Sequence, residues 1–481
     1  DPLASEETAH FPLSQSPAPD NVLLVGGGTS EIMSEILKHP VQSLDYVELD
    51  PLIISSAKKF LKTKQFYRLD DPRVNIINSD GRYFIKTTPK RYNTIIVDMP
   101  NPYTAQINRF YTVEFFREVR RVMSKGAVLG FSVSSSENYI SAPEALFLRT
   151  LLETATAVFP DVKIIPGDTA HFLCFDEKRS VPLDPEKIAR TLKARQIDTV
   201  YVRDYYLLSK LSEGRQAFLQ SAISRASYSR KNFDFYPVCY FYDMVLWSTH
   251  FNTRISEFLM YLTKQRILLA AIGAYFLLFV FYFIRRRSAN YKKRATLLAL
   301  FTTGLSEISY EILIILVFQI MFGYLYYKIG IIVTSFMLGL GLGSGFITKK
   351  LPRIKRPFRT YKQVQLLVVM YPMVLLGAFK ALSVLVDSGY APAAQALFTG
   401  LPLIAGFVGG MQYPLANRIC LENTSSVGKI AGTTYAADLL GSFAGAFLIS
   451  TFFVPIVGIP ATCLLLSTLS ALTLILLSLS N

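Results

Sequence analysis

From residue 265 onward the chain is a series of apolar runs of about 18 to 25 residues, the length that crosses a bilayer as a helix. In hydrocarbon every backbone N–H and C=O must be satisfied inside the segment, so such runs are expected to be helical. Seven are read, at 267–284, 296–322, 331–347, 364–386, 396–416, 431–457 and 462–479. Basic residues cluster after the first (Arg285, Arg286, Arg287, Lys292, Lys293, Arg294) and after the third (Lys349, Lys350, Arg353, Lys355, Arg356, Arg359, Lys362). Cytoplasmic loops carry such excesses, which predicts that residues 1–264 lie outside the cytoplasm. The net charge of +15 and the pI of about 9.4 are therefore read as a topology signal. The bilayer, partner membrane subunits or a second copy are the expected partners, and no nucleic acid is expected. Charge is costly inside lipid, so Glu307, Glu311 and Asp438 are candidate functional groups. They line a cation path, or they hydrogen-bond structurally to Tyr310 and Tyr435. Gly339, Gly341, Gly343 and Gly345 are read as one small-residue face for close helix contact, as are Gly441 and Gly445.

Residues 1–264 have ordinary soluble composition, and their organising stretch begins with the apolar run 22–25. It delivers Gly26, Gly27 and Gly28, and a helical pattern over 30–37 follows, the opening of a nucleotide-binding fold. A second strand, 43–49, carries Glu48 about twenty residues past the glycines, where such folds place the carboxylate that grips ribose hydroxyls. Asp50 begins the next connection and is either a ligand contact or a helix N-cap. A third strand, 74–77, ends at Asp80 and Gly81, and a fourth, 92–97, ends at Asp98. Lys125 and Gly126 are read as the end of a helix, 127–133 and 162–165 as strands, and 171–175 as an antiparallel partner. This alternation predicts an α/β, Rossmann-like, doubly wound sheet of seven strands in the class I methyltransferase manner, followed by the helical bundle.

Four segments result: a polar, proline-punctuated lead-in at 1–20, the Rossmann-like domain at 21–183, a helical extension at 184–264 and the bundle at 265–481. Asp1 is not an initiator methionine and no signal-peptide plan follows it, so the start reads as processed, trimmed or incomplete. Cys174, Cys239, Cys420 and Cys463 have no metal-ligand spacing and are read as small buried apolar residues. Cys174 and Cys239 could pair only in an oxidising compartment. Four scattered histidines offer no metal site, and none is expected.

The runs Val22-Leu-Leu-Val-Gly-Gly-Gly28, Val47-Glu-Leu-Asp50, Asp70-Asp-Pro-Arg-Val74, Ser79-Asp-Gly81, Ile95-Ile-Val-Asp98 and Phe110-Tyr-Thr-Val-Glu-Phe115 resemble spermidine synthases in order and spacing, over about residues 5–180. Segments 304–311 and 435–441 resemble the membrane regions of fused, multi-pass members of that family. The resemblance implies aminopropyl or related alkyl transfer to an amine, with decarboxylated S-adenosylmethionine or methylthioadenosine as the nucleoside ligand and no permanently bound cofactor. It assigns Gly26, Gly27 and Gly28 to close backbone approach, Glu48 to the ribose, Asp80 and Gly81 to adenine, and Asp98 to general base.

Several positions depart from that pattern. The family's aspartate after the glycines is Thr29 here, and its second loop carboxylate, which anchors the acceptor amine, is Asn101. The family's active-site tyrosine falls at Ala4, and its N-terminal β-hairpin is not found. A cationic amine needs fixed negative charge to offset desolvation, so the nucleoside half of the site is retained while the amine half is eroded. The alternative is a non-catalytic domain that binds a ligand or a partner subunit, coupled to or anchored by a bundle that transports a cation or polyamine. A catalytic domain would be cytoplasmic, where the donor is made, against the placement that the basic loops predict.

Overall fold

The computed structural model describes residues 1–28, 30–60, 68–179, 183–226, 230–249, 251, 253–288, 290–323, 326–387, 390–422 and 426–479. The chain divides into two units, Asp1–Met260 and Tyr261–Asn481.

The first unit is built on a seven-stranded sheet of β1 (Asn21–Val25), β2 (Ser43–Glu48), β3 (Val74–Asn78), β4 (Tyr92–Val97), β5 (Met123–Ser134), β6 (Asp161–Ile165) and β7 (Thr169–Phe175), in the order β3-β2-β1-β4-β5-β7-β6. The first five strands pair in parallel, and β7 runs antiparallel to both β5 and β6. Val22 to Val25 and Ile95 to Val97 are all buried, as expected of central strands covered on both faces. Val25 is level with Val47 and Val97, and Glu48 with Asn78, so four strands end along one edge. The strand order turns back between β1 and β4, and ligands of open α/β sheets bind outside the carboxyl ends at that point. Contrary to the expectation for Lys125 and Gly126, the preceding helix stops at Val122 and both residues lie inside β5. Gly126 has φ 76°, which a glycine tolerates, and its N–H donates to Asp176 at 3.0 Å.

The lead-in is a helix, α1 (Pro2–Gln15), buried against the sheet and capped by the Asp1 carboxylate. Pro12 lies inside it and fits over Gly130 of β5, where a Cβ would come within 2.9 Å of the proline ring. Its buried residues are largely polar, and Glu6, Glu7 and His10 have distant partners. Glu6 accepts the backbone N–H groups of Val200, Tyr201 and Val202 at 2.7, 2.9 and 2.8 Å. Glu7 meets His171 at 3.1 Å and Lys210 at 2.7 Å. Burial pushes the Glu7 carboxyl up, but His171 and Lys210 outweigh it and hold the group at about 2. Its contribution to stability is thus complete above the ordinary carboxyl value and lost as pH falls toward 2.

The remaining helices of this unit are α2 (Ile32–Leu37), α3 (Pro51–Phe60), α4 (Gly81–Thr87), α5 (Ala105–Asn108), α6 (Val113–Val122), α7 (Ala142–Thr156), α8 (Pro185–Ala194), α9 (Asp204–Lys210), α10 (Glu213–Arg225), α11 (Val238–Thr249) and α12 (Thr253–Tyr261), the last reaching the unit boundary. The extension is pinned to the sheet domain through side chains. Asn232 donates to Asn108 Oδ1 at 3.0 Å and to the Tyr111 carbonyl at 2.9 Å, and Arg82 pairs with both Glu118 and Asp234. Helix α11 packs on α7. Cys174 and Cys239 are buried free thiols.

In the second unit, among the described residues, seven helices are long and apolar enough to cross a membrane: Lys264–Arg287, Tyr291–Phe322, Lys328–Arg353, Pro357–Val386, Pro392–Leu421, Val427–Val457 and Ile459–Ser478. The sixth becomes π-helical over Ile449–Val457, where Pro455 removes a backbone donor. The four glycines of the third helix do not form one face. A Cβ on Gly339 or Gly343 would strike the Leu403 or Phe407 carbonyl at 2.3 and 2.1 Å, whereas Gly341 and Gly345 meet nothing within 4 Å. At 3.6 residues per turn, positions four apart share a face and positions two apart do not. Gly441 and Gly445 do act together, against the Phe301 and Leu305 carbonyls.

Candidate functional site

The turn after β1 is folded onto the strand ends beside it. Gly26 (φ 77°) donates its N–H to the Val47 carbonyl at 3.1 Å, and the Asp98 N–H donates to the Val25 carbonyl at 3.0 Å. Gly27 (φ 65°) lets the Asp98 side chain lie against the turn, since a Cβ there would fall 2.0 Å from Asp98 Oδ2. A Cβ on Gly28 would fall 2.4 Å from the Tyr46 ring, and one on Gly81 2.3 Å from Val25. The close approach that these glycines permit is therefore made by Asp98, Tyr46 and Val25. Thr29 lies outside the described residues.

Glu48 and Asp80 stand at the same edge of the sheet, each held locally. Glu48 Oε2 accepts from the Tyr46 hydroxyl at 2.8 Å, and Oε1 accepts the Leu49 and Asp50 N–H groups at 2.9 and 3.4 Å. Asp50 accepts the Leu52 N–H at 2.8 Å at the start of α3, the capping role among its two expected ones. Asp80 caps α4 by accepting the Tyr83 N–H at 3.0 Å, and both its oxygens take bonds from the Arg109 guanidinium. Asp80 is 8% exposed and Arg109 3%, so this is a buried ion pair. Arg109 was missed from the sequence, where it reads only as the polar start of an aromatic run.

Asp98 is different. Among the described residues its carboxylate takes no hydrogen bond; burial raises its proton affinity, and the charge of His171 opposes that rise. It lines a cavity of 480 Å³ together with Ala4, Ser30, Asn101, Tyr103 and Trp247. Asn101 is fixed at both ends: Nδ2 donates to Asp243 Oδ1 at 3.1 Å, and Oδ1 accepts the Ser134 N–H at 2.9 Å. The Tyr111 hydroxyl lies 2.9 and 2.8 Å from the Met99 and Pro100 carbonyls and steadies the loop between Asp98 and Asn101. Asp98, Asn101 and Ala4 thus share one cavity, while Glu48 and Asp80 are not among its lining.

In the bundle, Glu307 and Asp438 each lie against a glycine of another helix. A Cβ on Gly409 would fall 1.7 Å from Glu307 Oε1, and one on Gly304 would fall 2.7 Å from Asp438 Oδ1. Glu311 is buried. Among the described residues the tyrosine pairings are not found: the Tyr310 hydroxyl donates to the Val368 carbonyl at 3.1 Å, and the Tyr435 ring sits against Tyr413. A buried amide chain not anticipated from the sequence runs from Thr303 through Gln412 and Gln365 to Thr473, with bonds of 3.0, 2.8 and 3.0 Å.

The sheet order and the nucleotide-type turn define a Rossmann-like domain of the class I methyltransferase kind. Residues 2–165 match the family described as spermine/spermidine synthase domain. Over those residues the chain is similar to the spermidine synthase-like family. It is 36% identical over 132 residues to the polyamine aminopropyltransferase of Korarchaeum cryptofilum (strain OPF8), covering 27% of this chain and 40% of that one. With the polyamine aminopropyltransferase of Bacillus subtilis (strain 168) it shares 33% identity over 160 residues, covering 33% of this chain and 55% of that one. The chain thus spans about half the length of these curated relatives. Among solved structures, the spermidine synthase from Thermotoga maritima is similar with a TM-score of 0.38 and 22% identity, over 46% of this chain and 74% of that one. A spermidine synthase in complex with the transition-state analogue AdoDATO gives 0.37 and 20% over the same shares.

Proposed function

We propose that the first unit transfers an aminopropyl or related alkyl group from decarboxylated S-adenosylmethionine to an amine, with Asp98 as general base. The observation that carries this reading is the Asp98 carboxylate, with no hydrogen bond among the described residues and with raised proton affinity, at the wall of a cavity beside the glycine turn. In the step proposed, the neutral amine nitrogen attacks the carbon beside the sulfonium and the C–S bond breaks. Methylthioadenosine leaves with the electron pair, and the amine proton passes to Asp98. Glu48 and Asp80, at the adjoining strand ends, are the residues proposed to meet the nucleoside. A carboxylate has about four acceptor positions, and three donors to each are found among the described residues. Release of methylthioadenosine from decarboxylated S-adenosylmethionine in the presence of an amine, by the full chain in detergent, tests the reading. No release above the amine-free rate would leave the alternative, a non-catalytic ligand- or partner-binding domain. That second reading is favoured by one observation, the neutral Asn101 where the family carries a carboxylate.

The seven apolar helices support an integral membrane protein, and the basic loops support placement of the first unit outside the cytoplasm. Both native cysteines of the first unit are buried, so labelling needs a new thiol, and Tyr139 is 75% exposed. The Tyr139→Cys variant is expected to react with an impermeant maleimide in intact cells. Reaction only after lysis would place the domain in the cytoplasm, beside its donor.

A further inference from the structure

Beyond the matched residues 2–165, α11 places a second carboxylate behind Asn101 of the Asp98 cavity. Trp247 of that helix lines the cavity, and Asp243, one turn earlier, is wholly buried directly behind Asn101. Asp243 Oδ1 accepts from Asn101, while Oδ2 has no partner among the described residues. No ion pair to Asp243 is found among them either, although a buried carboxylate is costly without a cation or a full set of donors. Its neighbours are the Tyr111 hydroxyl, which donates to a loop carbonyl, and Cys239, one turn back on α11.

We infer that Asp243, acting through Asn101, supplies the fixed negative charge that holds the cationic end of a short alkyl diamine in the Asp98 cavity. It is a positioning residue, since at 0% exposure it does not touch the ligand itself. Asn101 turns its amide nitrogen toward Asp243 and its oxygen toward the Ser134 N–H. The pair Asn101–Asp243 therefore carries one negative charge, displaced by one hydrogen bond from the cavity wall. Asp243 lies outside the matched domain, so the acceptor charge comes from the extension rather than from the Asp98 loop. Burial raises the proton affinity of Asp243 and the Asn101 bond opposes that rise, so a bound cation would favour the ionised form.

This inference rests on the proposed transferase reading, and the two can fail separately. Trp247 is the sole tryptophan and lines the cavity, so its fluorescence is used to report both ligands in the full chain in detergent. Methylthioadenosine is titrated first, and 1,4-diaminobutane is then titrated at saturating nucleoside, with uncharged 1,4-butanediol as the comparison. Asp243→Asn keeps the shape and can still accept from Asn101, yet removes the charge. It is expected to weaken diamine binding about ten-fold or more, with nucleoside and butanediol affinities unchanged. The swap Asn101→Asp with Asp243→Asn returns the charge to the same hydrogen bond and is expected to restore diamine affinity. Equal loss of diamine and butanediol, unaltered diamine affinity in Asp243→Asn, no recovery in the swap, or no diamine binding by the parent nucleoside complex would each overturn the role of Asp243. If the parent takes no nucleoside, the transferase reading itself falls and this inference with it.

Discussion

Asp98→Asn is expected to lower the rate of methylthioadenosine release by about 10²- to 10⁴-fold, the usual contribution of a general base, while nucleoside binding persists. The amide has the same shape as the carboxylate that lies against Gly27, so the turn is not disturbed, but it cannot take the amine proton. The pH profile gives a second signature. Burial raises the proton affinity of Asp98, so the parent rate should fall on acidification at a pH above the ordinary carboxyl value, and the variant should lack that limb. Stability should move the other way. A carboxyl whose folded value is raised contributes stability below its unfolded value and loses it as pH rises through the folded one. Asp98→Asn, neutral throughout, should therefore melt higher than the parent at neutral pH. A variant with parental turnover would remove Asp98 from the chemistry.

The largest loss of stability is expected for Arg109→Met. The substitution leaves Asp80 8% exposed without its guanidinium partner, and breaking a buried ion pair in this way costs about 3–5 kcal/mol. The double variant with Asp80→Asn should recover much of that, because the uncompensated charge is gone while the amide oxygen still caps α4. The two units need not unfold together, so Trp247 fluorescence, which reports the first unit alone, is the proper readout in a denaturant series. A loss under about 1 kcal/mol would mean that Asp80 is satisfied by other donors.

Short-range signals in the sequence reached the strands, the turn and the long apolar helices because each depends on neighbours. The apolar runs at 22–25 and 92–97 became β1 and β4, and the antiparallel strand at 171–175 became the core of β7. Asp98 was legible because it ends a strand at the switch point. What escaped depends on partners far along the chain. Helix α1 is polar to read, since Glu6 and Glu7 are satisfied by groups at 171 and 200–210. Asp80 looks available until Arg109 is placed on it, and Asn101 looks like a lost charge until Asp243, 142 residues later, is placed behind it. The four glycines of the third apolar helix were misread for a simpler reason: spacing of two places alternate residues on opposite sides of a helix.

The reading as a whole depends on an adenosine-like molecule entering beside Asp98 with its ribose on Glu48. Calorimetric titration of the full chain in detergent with methylthioadenosine addresses this directly. Binding in the micromolar range is expected, weakened about ten-fold or more in Glu48→Ala, since a hydrogen bond to a charged group is worth about 1.5–3 kcal/mol. Absence of heat at millimolar nucleoside, or binding indifferent to Glu48→Ala, would contradict it.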